Sequence, residues 1–181
     1  MFLLALGVFL WIAAHLFRRL APELRARMGD RGRGAVALVL FLSVVLMVIG
    51  YRQADGAVYW GPMPAMVHLN NLLMLGSVYL FAASGMKTSL ARDVRHPMLW
   101  GVVVWSVAHL LVNGDVPSFL LFGSLGLWAL VEMVVINRAE PVWTPPPVKP
   151  KKTEVFALIG TFAVFIAAVA VHMVLGYSVI G

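Results

Sequence analysis

Residues 35–51 read AVALVLFLSVVLMVIGY, seventeen consecutive positions without a charged side chain. A helix needs about 20 apolar residues to cross the roughly 30 Å hydrocarbon core of a bilayer. Unpaired backbone groups are too costly in lipid for an open extended chain, so the stretch predicts a transmembrane helix.

Five other apolar stretches have the same character, and together they predict an all-α fold, a polytopic membrane helix bundle with about six transmembrane helices. The composition agrees, since 61% of the 181 residues are hydrophobic and 12% are charged, where a soluble domain carries roughly a quarter charged. Without cysteine, thiolate metal sites and disulfides are excluded. The predicted spans are Phe2–Phe17, Ala35–Tyr51, Ala65–Ala83, Met98–Val112, Pro117–Ile136 and Glu154–Gly176.

The basic residues are distributed unevenly among the connections. Thirteen of the fourteen Lys and Arg lie in the first, third and fifth connections, and Arg52 is the exception. The positive-inside rule therefore predicts that these connections face the cytoplasm and that both termini lie on the outer, periplasmic side. The net charge of +6 then reports orientation, and no nucleic-acid partner is expected. The Arg-rich first connection suits contact with anionic lipid.

The fifth connection contains EPVWTPPPVKP at residues 140–150. Its prolines favour an extended linker over a helix. The expected organisation is a five-helix membrane core at 1–138, a Pro-rich cytoplasmic linker at 139–153 and a C-terminal transmembrane helix at 154–181. There is no internal repeat, which disfavours an inverted-repeat transporter.

Five histidines sit in or beside the spans, and ionisable groups in membranes tend to mark function. His96 and His109 are 13 residues apart, which is about 20 Å along a helix, so they cannot ligate one ion. The predicted topology places His68, His109 and His172 on the outer side, and these three converge if spans three, four and six touch. A haem with two histidine ligands requires such convergence. Alternatively, each histidine only bonds a neighbouring carbonyl. The predicted topology gives an outer group, His68, His109 and His172, and an inner pair, His15 and His96.

His109 has surroundings that suit a flat macrocycle, although they also suit ordinary helix packing. Gly101, Trp105 and Asn113 recur with it every four residues on one slowly drifting helix face. Gly101 permits close approach, Trp105 offers a flat apolar surface, and Asn113 can donate and accept hydrogen bonds.

Two charged residues complete the set of candidate functional side chains. Arg52 is the one outer cation, and it can pair with a haem propionate, pair with Asp55 or anchor at the interface. Glu132 lies in span five, where a carboxylate should pair or be protonated. A structural ion pair is favoured over a proton relay, and the candidate partners are His15, His96, Arg95 and Arg18.

The fourth span carries a family resemblance. Residues 95–115 read RHPMLWGVVVWSVAHLLVNGD, and SFLLFG follows at 118–123; both closely resemble the signature of the NnrU family of bacterial membrane proteins. His15 in AAHLFRRL and His68 in VHLNNLLML resemble family positions, and HMVLG around His172 resembles the family's ending.

The resemblance implies a multi-pass protein of the bacterial cytoplasmic (inner) membrane, associated with denitrification and nitric oxide metabolism. Family members support nitric oxide reductase expression or activity. A relative, 15-cis-zeta-carotene isomerase, is a haem b membrane protein whose haem histidines match His109 and His15. The resemblance therefore implies haem b here, with a redox or isomerase-type activity.

The depth argument sets His15 and His109 on opposite sides of the bundle, so the second haem ligand stays open. The expected metal ligands are His109 and His68, with His15 and His172 as alternatives. Arg52, Trp105 and Asn113 are the expected further contacts, and no catalytic residue is identified. The alternative function is a non-catalytic accessory or assembly factor for nitric oxide reductase, in which the histidines are structural.

Overall fold

The computed structural model describes residues 1–177 and 179, and it confirms an all-α membrane bundle. Within that part of the chain, five helices are long and apolar enough to cross a membrane, and a sixth apolar helix is shorter at 16 residues. The helices are α1 (Phe2–Leu20), α2 (Pro22–Arg27), α3 (Gly29–Arg52), α4 (Pro64–Met86), α5 (Leu90–Asp93), α6 (Pro97–Val112), α7 (Val116–Ser118), α8 (Ser124–Ala139) and α9 (Lys152–Val174).

The helix boundaries follow from ordinary capping chemistry. Pro22, Pro64 and Pro97 each occupy the first turn of a helix, where the fixed φ suits the helix and the missing N–H is not needed. Lys87 ends α4 in the left-handed conformation, with φ of 57°. Between α7 and α8 the chain forms one π-helical turn, Phe119–Gly123, so that Val116–Ala139 runs as one long helical segment.

The spanning helices pack in the order α3, α1, α8, α6, α4 and α9, each against the next. Helix α8 lies in the middle, and its segment buries a larger share of its residues than any other spanning helix described. The apolar core joins α1, α3 and α8. Its buried residues are Leu4, Val8, Met47, Leu125, Trp128 and Ala129.

Two glycines let α1 and α3 approach closely. A Cβ atom at Gly50 would overlap the backbone of Leu4, and one at Gly7 would lie 2.8 Å from the Met47 side chain. Helices in lipid associate largely through such small residues, because apolar side chains gain little by leaving lipid for a neighbouring helix.

A short ribbon closes one end of the bundle, and we call this the ribbon end. Strand β1 (Val58–Trp60) pairs antiparallel with β2 (Gly114–Asp115). The Trp60 indole N–H also donates to the Leu110 carbonyl at 2.9 Å. This ribbon, which the sequence reading did not anticipate, ties the α3–α4 connection to the end of α6.

The opposite end carries the three basic connections, and we call it the basic end. The Glu140 carboxylate accepts a hydrogen bond from Arg19 at 2.6 Å, and the Glu140 carbonyl accepts one from Arg95. Glu154, in the first turn of α9, accepts from the Ser89 backbone N–H at 2.7 Å. The segment between α8 and α9 is therefore anchored where it begins and where it ends.

Alanine at Gly50 tests the close approach of α1 and α3. We expect Gly50→Ala to destabilise the fold by about 1–3 kcal/mol, because the added methyl has no space. The matched control is Gly34→Ala on the same helix, where a Cβ meets no atom of the described chain within 4 Å. That change should stabilise by roughly 0.5–1 kcal/mol. Unfolding in detergent, followed by circular dichroism, measures both, and equal effects would contradict the packing.

The Arg19–Glu140 contact predicts a small pH dependence. The hydrogen bond and then the charge of Arg19 lower the pKa of Glu140 below its usual value. A lowered folded-state pKa contributes stability above the unfolded pKa, and that stability is lost as the pH falls through the folded pKa. Glu140→Gln should therefore flatten the acid side of a stability–pH profile, with Glu23→Gln as the control. If Glu140→Gln leaves the stability–pH profile unchanged, the Arg19–Glu140 contact contributes nothing to stability.

Candidate functional site

Three membrane histidines are held in the same way, each by a hydrogen bond from Nδ1 to the carbonyl four residues earlier. Because a carbonyl only accepts, Nδ1 carries the hydrogen, and in the neutral ring Nε2 then holds the lone pair. Metal-binding histidines are usually held by such a bond on the other ring nitrogen. The pairs are His15 with Trp11 at 2.9 Å, His109 with Trp105 at 2.9 Å and His172 with Ala168 at 2.8 Å.

The His109 imidazole is half-buried against two aromatic rings. Its centroid lies 4.9 Å from the Trp105 ring and 4.5 Å from the Phe122 ring, which is stacked on it at 24°. Trp105 therefore lies beside His109, as the four-residue spacing predicts. The Asn113 amide instead donates to the His109 carbonyl at 2.9 Å, so it closes the end of α6 with its side chain.

His172 is the histidine of α9 and lies in the last turn of that helix. After α9 the chain turns back, and the Tyr177 N–H donates to the His172 carbonyl at 2.9 Å. Further along, the Val179 carbonyl accepts a hydrogen bond from the Asn71 amide of α4 at 2.8 Å. The chain after α9 therefore contacts α4.

His68 lies away from His109. It is exposed on α4, nine residues before Ser77, whose hydroxyl donates to the Gly101 carbonyl of α6 at 2.8 Å. Nine residues are about two and a half helical turns, so His68 is on the face of α4 opposite α6. That face borders a groove of about 490 Å³ between α4 and α9, lined by Asn71, Leu72, Leu75, Phe165, Ile166 and Val169.

His15 and His109 both contact the long helical segment Val116–Ala139, which we call the central segment. They do so at different levels. The His15 ring lies 4.6 Å from Trp128, and the His109 ring lies 4.5 Å from Phe122. Six residues separate these contacts, or about 9 Å along the axis of a regular α-helix. The two histidines are thus nearer in depth than the sequence argument placed them.

The structure gives other roles to two predicted residues. His96 lies at the start of α6 and hydrogen-bonds Asn137 at 2.8 Å, which ties α6 to α8. Gly101 faces Phe81 and Ser77 on α4 and not the His109 site, because steps of four residues drift around a helix.

Two charged residues can be compared with the expectations for them. Arg52 is exposed, and within residues 1–177 and 179 it does not form the ion pair with Asp55 that is one of its three expected alternatives. Glu132 is buried, and its Oε2 atom has no hydrogen-bond partner in the described chain. The ion pair expected for Glu132 is therefore not formed. Among the described residues, no three His, Asp or Glu side chains come together as a metal-binding group.

A hydrogen-bonded chain that the sequence reading missed supports the wall of the His109 site. The Asp115 carboxylate accepts from the Ser118 backbone N–H at 2.8 Å and from the Ser118 hydroxyl at 3.0 Å. Because that hydroxyl hydrogen is used, Tyr51 donates to Ser118 Oγ, at 2.8 Å. Ser118 directly precedes the π-helical turn that carries Phe122. The Asp-x-x-Ser capping pattern was the available sequence signal.

The fold and the site together define a polytopic helical membrane protein with histidines held inside the bundle beside aromatic rings. The chain matches the family described as NnrU protein over residues 3–179. It therefore belongs to the NnrU family, as its span-four signature implied. Comparisons with curated proteins and with solved structures found no match.

Removing the hydroxyls of the Tyr51–Ser118 pair tests the chain. We expect Tyr51→Phe to cost about 1 kcal/mol of unfolding free energy. Ser118→Ala should cost somewhat more, because it also removes a buried partner of Asp115. The double variant should cost less than the sum, because both single changes break one shared bond. Ser124→Ala, in the first turn of α8, is the control. Additive costs would contradict a shared hydrogen bond.

Proposed function

We propose that this NnrU-family protein binds haem b through His109 and acts in nitrogen-oxide metabolism, as a redox or isomerase-type enzyme. The observation that carries the proposal is the state of the His109 ring. Its Nδ1 is bonded to the Trp105 carbonyl at 2.9 Å, which leaves Nε2 as an available ligand atom. Haem iron is commonly held by histidine, so the donor chemistry fits this cofactor.

The neighbouring side chains fit a flat, apolar cofactor. Trp105 and Phe122 pack edge to face, with ring centroids 4.9 Å apart, and both rings contact the His109 imidazole. When bound, haem iron would supply electron exchange, nitric oxide binding or, after loss of one ligand, Lewis acidity. The chain's own part is to orient the imidazole through Trp105 and to keep Phe122 in place through Ser118.

Three histidines are candidates for the second haem ligand. The Nδ1 atoms of His172 and His15 are bonded to carbonyls of their own helices, as that of His109 is. His68 instead faces away from α6. We propose His172 or His15 as the second ligand, ahead of His68.

An optical spectrum of the purified protein tests haem binding. Protein from haem-replete cells should show a Soret band that shifts on reduction, and His109→Ala should remove most of it. His96→Ala is the matched control, because His96 bonds Asn137 at the basic end. Alanine variants of His172, His15 and His68 then identify the second ligand by a changed Soret position. A colourless wild-type preparation would overturn the proposal.

One observation favours a second candidate, an accessory factor for nitric oxide reductase with structural histidines. The Nδ1 bonds of His15, His109 and His172 all lie within their own helices, so these rings are held without any cofactor. This candidate predicts co-purification with the reductase, and reductase activity that does not change in His109→Ala. The haem proposal gains support if that activity falls together with the Soret band.

A further inference from the structure

Three buried polar atoms without hydrogen-bond partners belong to side chains of α1 and α8. In the part of the chain described, Trp11 Nε1, Trp128 Nε1 and Glu132 Oε2 are buried and form no hydrogen bond. Trp128 is 5% exposed and Glu132 is 7% exposed. More than nine in ten buried polar groups are paired in proteins, so unpaired groups on three neighbouring side chains call for a ligand.

The side chains that carry these atoms form one cluster. The Trp11 and Trp128 ring centroids are 5.6 Å apart and the rings are nearly perpendicular, at 85°. His15 packs against both rings, at 4.4 and 4.6 Å. Glu132 follows Trp128 by one turn of α8, about 40° around the helix axis. It therefore lies on nearly the same face as the tryptophan that meets α1.

The three groups include two donors and one acceptor, but they form no hydrogen bond with one another in the described structure. An indole N–H only donates, so Trp11 and Trp128 cannot bond to each other. A Glu132 carboxyl oxygen can accept, yet it receives no donor in the described structure. A ligand that accepts from the two indoles and donates to the carboxyl group would satisfy all three. A water molecule does this, and buried waters typically make about three such bonds.

We infer that Trp11, Trp128 and Glu132 form a buried site for one water molecule. The water accepts from both indole N–H groups and donates to Glu132. It takes the place of the ion pair that sequence reasoning expects for Glu132, and it joins α1 to α8 beside His15. The site needs no haem, so it stands or falls independently of the function proposed above.

Nuclear magnetic resonance of the full chain in lipid nanodiscs, with 15N-labelled tryptophan, tests the site. The six indole signals are assigned by single Trp→Phe variants. We expect the Trp11 and Trp128 indole protons to show magnetisation transfer from a bound water. Glu132→Leu should abolish both transfers. Glu132→Gln should preserve them, because the amide keeps an acceptor oxygen. Trp100→Phe, at an exposed position of α6, is the control and should leave both unchanged.

Several results would overturn the inference. One is an absence of water transfer to Trp11 and Trp128 in the wild-type chain. Another is hydrogen-bonded indole shifts without water transfer, which would mean that a protein oxygen is the acceptor. Water transfer that persists in Glu132→Leu would also overturn the inference. If Glu132→Leu does not fold, Trp128→Phe replaces it, and the water contact of Trp11 should then be lost or weakened at least several-fold. Undiminished transfer to Trp11 would refute the site.

Discussion

The structure depends on the rule that a polar group inside hydrocarbon must find its partner within the protein. Backbone groups meet this rule through the helices themselves. Several side chains meet it by bonding a carbonyl one turn back, as Ser43 does to Leu40 and Thr161 to Ala157. The membrane histidines use the same bond at Nδ1. A bond that first satisfies a buried imidazole thereby also leaves Nε2 available to bind something else.

The central segment determines how these groups are arranged. It contacts α1 on one side and α6 on the other, and the π-helical turn at Phe119–Gly123 interrupts its regular pitch. Such turns occur often at functional sites. Phe122, inside the turn, stacks on His109, whereas Trp128, in the regular helix beyond it, packs on His15. The two histidine environments are thus separate levels of one helix.

Hydropathy predicted the spans well because it is a property of each segment alone. Met98–Val112 differs from the observed α6 by one residue at its start. Hydropathy could not predict which helices pack against each other, because that depends on contacts between distant segments. His68 on the face away from α6, Gly101 against α4 and Glu132 without an ion pair are all consequences of packing. The β1–β2 ribbon was missed because a three-residue exposed strand has no alternation to detect.

The two sides of His109 differ in how completely their polar groups are bonded. Toward the ribbon end, Tyr51, Ser118 and Asp115 form a closed chain that ends on a carboxylate, and it holds the Phe122 wall. Toward the basic end, Trp11, Trp128 and Glu132 keep unused bonding capacity. Buried capacity of this kind costs free energy unless a ligand uses it. The bonded side therefore supplies rigidity, and the unbonded side is where we infer that a water molecule joins α1 to α8.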